Sequence, residues 1–140
     1  YQVAEKLQET LSDKEHSVNI ERIYVADEKQ RDLNKIQVLS IPDLSTYDAL
    51  VFGSPVHAFS LSHPITTFMS QITTLQDKKI TCFVTKGLPL NGTGGNQAIG
   101  MMKKICESKG GDVCGSGIIV WKKDHEKQIS KLTEEMCRLF

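Results

Sequence analysis

The chain has 140 residues, the length of one domain, with 39% hydrophobic and 24% charged residues, a balance that can build a core without disulfides or metal ions. Its 17 basic side chains match 17 acidic ones, which argues against a disordered chain and against nucleic acid as a partner. The sequence has no apolar run of the roughly 18 residues that a membrane span needs, and no secretory leader pattern at its start. These features predict a single cytoplasmic domain.

The cysteines are Cys82, Cys106, Cys114 and Cys137. They form no Cys-x-x-Cys pair, and no histidine stands at zinc-ligand spacing from them, so reduced cytosolic thiols are indicated rather than a disulfide framework or a metal site. Cys82 lies in an apolar run and Cys106 on an apolar helix face, and free cysteine in such places is usually buried. We expect both to be core residues.

The first third of the chain predicts a helix, then a strand, then a segment with no clear pattern. Val3, Leu7 and Leu11 recur every four residues between polar side chains, which is the stripe of an amphipathic helix. Residues 18–25 combine apolar and polar side chains in the manner of an edge strand. Residues 27–46 are mostly polar, and a short helix and an ordered loop fit them equally well.

The remainder alternates strands and helices. Two apolar runs, residues 49–52 and 80–85, lack a polar alternation, which is typical of parallel strands covered on both faces. A third strand is predicted over residues 113–120. The helices between and after these strands should bury Ile65, Phe68, Met69, Ile72, Ile99, Met102, Ile105, Cys106, Ile129, Leu132, Met136 and Phe140, with Asp124 as the cap of the last helix. The class is therefore α/β with a parallel sheet.

Two segments follow the central strands and are the candidate site. Residues 53–63 are predicted to be a long loop whose Gly-Ser-Pro start makes a rigid turn. Residues 86–95 contain four glycines and open the next helix, which permits close backbone approach to a flat or anionic ligand. Because ligands of open parallel sheets bind beyond the carboxyl ends of the strands, both segments should border one crevice.

The sequence around these strands resembles the flavodoxin-like family. Residues 47–56 read Tyr-Asp-Ala-Leu-Val-Phe-Gly-Ser-Pro-Val and residues 83–87 read Phe-Val-Thr-Lys-Gly, and both are similar to the segments of that family that border the flavin ring. The resemblance implies a doubly wound parallel sheet of order 2-1-3-4-5 in one domain spanning residues 1–140. The family's first strand and the phosphate-binding Thr-Gly-Asn-Thr turn after it do not occur in the sequence. We expect either about a dozen further residues upstream or another segment in that strand position.

By the same resemblance, the protein is expected to be a flavoprotein that binds FMN and has a redox role in electron or hydride transfer, either as an FMN-dependent oxidoreductase or as an electron-transport protein. The residues implied to line the ring are Ser54, Pro55, Val56, His57, Ala58, Thr85, Lys86, Gly87, Leu88, Gly94 and Gly95. The implied partner is a redox protein or an NAD(P)H-dependent donor, and a homodimer is compatible with the family.

Several of these assignments have an alternative. His57 is the polar side chain best placed to face the ring, but an exposed loop histidine fits equally well. Lys86 would place a positive charge beside a reduced flavin, or would be a solvated lysine. Trp121 is predicted to cap the last strand rather than to touch a ligand. A phosphate-accepting signalling domain of the same topology is disfavoured, because Gly53 and Ser54 stand where it needs an aspartate, whereas a domain that kept the fold but binds no flavin remains the alternative function.

Overall fold

The computed structural model describes residues 2–14, 16–27, 29, 32, 35–39, 41–57, 60–61, 63–87, 95–121 and 125–140, with backbone alone for His57, Ser60, Leu61 and His63. In chain order the elements are α1 (Gln2–Asp13), β1 (Ala49–His57), β2 (Ser60–Leu61), α2 (His63–Gln71), β3 (Lys79–Lys86), α3 (Gly95–Ser108), β4 (Asp112–Val120) and α4 (His125–Cys137). Within these residues no helix is both long and apolar enough to cross a bilayer.

The sheet has the order β2-β1-β3-β4. Strands β1, β3 and β4 are parallel, and the two-residue β2 pairs antiparallel with the end of β1. The central strand β3 is buried from Ile80 to Val84, as its unbroken apolar run predicts, because both of its faces are covered by helices. The predicted α/β class with a parallel sheet is confirmed.

Two cores lie on the two faces of the sheet. One holds side chains of β1, β3, α2 and α3, among them Phe52, Phe68, Met69, Ile80, Cys82, Val84, Met102 and Cys106. The other joins α1 and α4 to the opposite face through Val3, Leu7, Phe83, Ile119, Ile129, Leu132 and Met136. The helical stripes read from the sequence are thus confirmed, except that Ile105 and Phe140 are half-buried. Asp124 lies outside the described residues.

Strand β4 carries one extra residue relative to β3. Val113 pairs with Ile80, but the next residue of β3, Thr81, pairs with Gly115, which leaves Cys114 unmatched. The Cys114 Sγ lies 3.5 Å from the carbonyl oxygen of Ile80. This β-bulge brings Ile119 onto the same face as Phe83, where both join the core under α1 and α4.

The predicted strand over residues 18–25 is wrong. Residues 17–24 have no regular structure, and Val25 makes a single antiparallel bridge with Val38. The physical reason is the lack of a neighbour, since a strand exists only where another backbone accepts its hydrogen bonds. Among the described residues no strand pairs with the outer edge of β1 before Val56. A slot with a volume of about 1250 Å³ lies there, bordered by β1, α1 and residues 16–23.

The predicted long loop over residues 53–63 also needs correction. The chain continues as β1 through His57, and Val56 and His57 then pair with Leu61 and Ser60 of β2. The Gly-Ser-Pro sequence is therefore part of a strand and not a turn. Proline is tolerated at this point because Pro55 lies on the outer strand of the parallel three.

Candidate functional site

The carboxyl ends of the three parallel strands meet at one edge of the sheet. Pro55 of β1 pairs with Thr85 of β3, and Thr85 pairs with Ile119 of β4. Lys86 pairs with Val120 in the next row. Since neighbouring strands lie about 4.8 Å apart, residues 55–56 and 85–87 are brought side by side at this edge.

A cavity of about 250 Å³ opens at this edge. It is lined by Pro55, Val56, Thr85, Lys86, Gly87 and Trp121. Pockets for small molecules usually measure about 300–1,000 Å³, so this space is smaller than a whole cofactor site and would take one part of a larger ligand. Five of its six lining residues were predicted from the sequence to contact a ligand.

The walls of this cavity differ in chemistry. Pro55 and Val56 supply apolar surface, whereas Lys86 brings a cationic side chain and Thr85 a hydroxyl. Among the described residues, none lies within 4 Å of a Cβ atom built on Gly87. A flat ring with polar edges matches such a mixture, because most pockets combine apolar walls with a few placed polar groups.

Ser54 and Gly53 have structural roles that the sequence did not indicate. The Ser54 side chain is buried, and its hydroxyl donates to the carbonyl oxygen of Pro55 at 2.9 Å. It borders the slot beside β1 rather than the smaller cavity. A Cβ on Gly53 would lie 2.2 Å from Cζ of Phe83, so this glycine makes room for the aromatic ring. The sequence indicated a turn glycine, but the structure shows a packing glycine in a strand.

Gly95 is the first residue of α3 and is buried. A Cβ there would lie 3.2 Å from Cδ1 of Ile118 and 3.4 Å from Cδ of Lys86. Gly95 therefore allows the helix to approach β4 and the Lys86 stem, and it does not line the cavity itself. Of the other predicted site residues, Ala58, Leu88 and Gly94 lie outside the described residues, as does the side chain of His57.

Trp121 is the cavity residue that the sequence analysis assigned elsewhere. Its amide donates to the carbonyl oxygen of Lys86 at 2.8 Å, which extends the pairing of β4 with β3 by one residue. Its indole ring stacks on the His125 ring with the centroids 4.2 Å apart. The signal that would have found it is its place directly after a parallel strand, the position that also brought residues 85–87 to this edge.

The groups with shifted acidity lie away from the cavity. Hydrogen bonds from Ser45 hold the pKa of the exposed Asp43 carboxyl below its usual range. In the core, a hydrogen bond with Cys106 together with burial raises the pKa of the Cys82 thiol. Within the part of the chain that the structure describes, His, Cys, Asp and Glu side chains form no group of three that could hold a metal ion.

Comparison with known proteins gives a structural match but no sequence match. No family model matches the chain, and no curated protein matches it significantly. The structure is similar to that of oxidised flavodoxin 2 from Bacillus cereus, with a TM-score of 0.67 over 99% of this chain and 89% of that one at 15% sequence identity. At this identity the likeness shows the fold, which is flavodoxin-like.

Two weaker structural likenesses were also found. A flavoprotein from Lactobacillus acidophilus, solved in complex with FMN, matches with a TM-score of 0.48 and 22% identity over 74% of this chain, and this chain spans 60% of its length. An azoreductase from Bacillus anthracis matches with a TM-score of 0.49 and 16% identity over 66% of this chain and 55% of its own.

Proposed function

We propose that this chain, which has the flavodoxin-like fold, binds FMN at the carboxyl edge of its sheet and has a redox role. The observation that carries the proposal is the cavity in which Pro55, Val56, Thr85, Lys86 and Gly87 meet at the ends of adjacent parallel strands. Open α/β sheets bind their ligands at this edge. The fold match adds support, because one of the structures with this fold is a flavodoxin.

The residues present fit the ring portion of FMN. Pro55 and Val56 offer apolar contact for one part of a flat ring, and Gly87, which has no side chain, lets a ring edge approach the backbone. The Lys86 ammonium would lower the energy of negative charge placed on the bound ring. When bound, FMN supplies the capacity to accept and release electrons or hydride, which this set of side chains does not supply itself.

The protein's own contribution is binding and orientation. The ladder pairs Pro55 with Thr85 and Lys86 with Val120, so cavity residues from two strands are fixed relative to one another by backbone hydrogen bonds. A site built on strands holds its geometry more closely than one built on loops. The sequence also predicts a partner, which is a redox protein or an NAD(P)H-dependent donor. A homodimer and a cytoplasmic location likewise stay predictions.

Titration of the purified protein with FMN tests the proposal. We expect saturable binding, seen as quenching of flavin fluorescence, and bleaching of the bound flavin band upon reduction. Gly87→Val should weaken FMN binding about tenfold or more, because the new side chain would occupy the cavity. The matched control is Gly100→Val on the exposed side of α3, where a Cβ also meets nothing within 4 Å. Folded protein that binds no FMN would contradict the proposal and favour the alternative, a flavodoxin-like domain without flavin.

A further inference from the structure

Trp121 occupies a defined place at the cavity. Its amide donates a hydrogen bond to the carbonyl oxygen of Lys86, so the backbone of Trp121 is attached to the end of β3. Trp121 lines the cavity together with Pro55 and Val56 of β1, and 44% of the residue is exposed. The large apolar residues that the described part of the chain exposes are Tyr24, Leu39, Ile41, Met101 and Trp121. Of these, Trp121 alone lines either cavity.

The indole also contacts the first residue of α4. His125, the first residue of that helix, stacks on it at an interplanar angle of 24°. One turn later the Gln128 side-chain amide accepts a hydrogen bond from the Val120 amide at 2.8 Å and donates one to the Val120 carbonyl at 3.1 Å. These contacts fix residues 120–121 before any ligand arrives, which lowers the entropy lost when a ligand packs against the ring.

We propose that Trp121 is a wall of the ligand cavity and that its indole packs against the flat ring bound there. This inference rests on the proposed function, because the ring in question is that of FMN. An exposed indole that only capped β4 would need no place in the cavity, whereas a fixed aromatic surface next to Lys86 and Pro55 suits contact with a heteroaromatic ring. His125 and Gln128 are positioning residues, since they act on the ligand through Trp121.

The chain has a single tryptophan, so its intrinsic tryptophan fluorescence reports on this residue alone. Addition of FMN should quench the emission of Trp121, and the quenching should saturate at the same concentration as binding measured from flavin fluorescence. Trp121→Leu should weaken FMN binding by about two- to tenfold, and Trp121→Phe should recover most of the loss because it retains an aromatic ring. Ile41→Ala, which removes an exposed apolar side chain away from the cavity, is the control.

The outcomes separate this inference from the proposed function. If wild-type protein binds FMN and Trp121→Leu binds it equally well, Trp121 is a cap of β4 and the inference is wrong, while the proposed function stands. If the folded wild-type protein binds no FMN, both are wrong.

His125→Leu tests the positioning role separately. Loss of the stacked ring should lower the fluorescence anisotropy of Trp121 and weaken FMN binding less than Trp121→Leu does. A purely structural role of His125 would lower the melting temperature and leave both of these measurements as in the wild type. That result would show that His125 does not position Trp121.

Discussion

Cys82 shows how burial sets the chemistry of a single residue. It lies in the middle of β3, fully buried, with its thiol hydrogen-bonded to that of Cys106 on α3. Both causes, the hydrogen bond and the burial, favour the protonated thiol and raise its pKa. Cys82 is therefore an inert core group, whereas Cys114 is exposed.

This raised pKa predicts a loss of stability at alkaline pH. The contribution of Cys82 is complete below the thiol pKa of the unfolded chain, about 8.5, and is lost as the pH rises above it, because the unfolded chain then releases a proton that the native state keeps. The same hydrogen bond lowers the pKa of the Cys106 thiol, so the reference must lack both thiols. Relative to Cys82→Ala/Cys106→Ala, the free energy of unfolding of the wild type should fall between pH 7.5 and 9.5. Urea unfolding at both pH values measures this change. Cys114→Ala is the control, and a wild type that parallels Cys82→Ala/Cys106→Ala would contradict the assignment.

At the scale of elements, two hydrogen bonds and one glycine end helix α3. The amide of Gly110 donates to the carbonyl of Glu107 and that of Gly111 to the carbonyl of Cys106, both at 3.0 Å. The φ angle of Gly110 is +87°, in the left-handed region. These are the two hydrogen bonds and the glycine of a Schellman motif, which stops a helix and turns the chain toward the next strand.

The same substitution should therefore have opposite effects at two glycines of this region. Gly110→Ala should destabilise the protein by about 1 kcal/mol, because alanine is strained at that φ angle. Gly100→Ala, in the exposed middle of α3, should stabilise it by about 0.5–1 kcal/mol, because alanine loses less backbone entropy in a helix. Thermal unfolding of both variants measures the difference in sign. Two shifts in the same direction would show that the φ angle of Gly110 does not limit stability.

Some elements of this fold can be predicted from the sequence and others cannot, and the difference has a physical cause. Patterns that depend on burial by adjacent elements, such as the stripe of Ile99, Met102 and Cys106 or the apolar run of β3, were predicted correctly. Patterns that depend on a distant backbone partner were not. Residues 18–25 have the composition of a strand, but among the described residues they make only the single bridge of Val25 with Val38. The strand through Gly53 and Pro55 looks like a turn until its pairing with β3 is known.

The residues of the candidate site also differ in how far the sequence predicts them. The strand-end rule depends on the order of elements alone, and it predicts that residues 53–63 and 86–95 border one crevice; Pro55, Val56, Lys86 and Gly87 of these segments line the cavity at that edge. Trp121 was missed although its place directly after β4 satisfies the same rule, because its contact with the cavity depends on how β4 pairs with β3 and on the stack with His125.

On the scale of the whole molecule, the sheet borders a slot at the outer edge of β1. The outer edge of β1 faces this slot over residues 49–55, and residues 16–23 border its other side. Val3, near the start of α1, packs in the core with Phe83 and Ile119, which lie toward the carboxyl edge of the sheet. A strand parallel to β1 in the slot would end at that same edge, next to the start of α1. That a further strand completes the sheet here stays a prediction.

Amide hydrogen exchange tests this prediction. In a parallel strand, alternate residues direct their amides to opposite neighbours. In the 140-residue chain, we expect the β1 amides that face the slot to exchange much faster than those that face β3. A longer version of the protein that supplies the predicted strand should protect both sets. Equal protection of both sets in the 140-residue chain would mean that another of its own segments fills the slot.

The β-bulge in β4 determines which single-residue deletions the strand tolerates. Because Cys114 has no counterpart in β3, its deletion would leave every other pair of the ladder in place, from Val113 with Ile80 to Val120 with Lys86. Deletion of Ser116 would instead keep residues 117–120 in register only by moving Cys114 into the place of Gly115, where a Cβ would lie 2.5 Å from Cδ1 of Leu139. The first shortened chain should fold with a melting temperature close to that of the wild type, and the second should be destabilised. The strand thus has one position at which a residue can be lost without disturbing the site at its end.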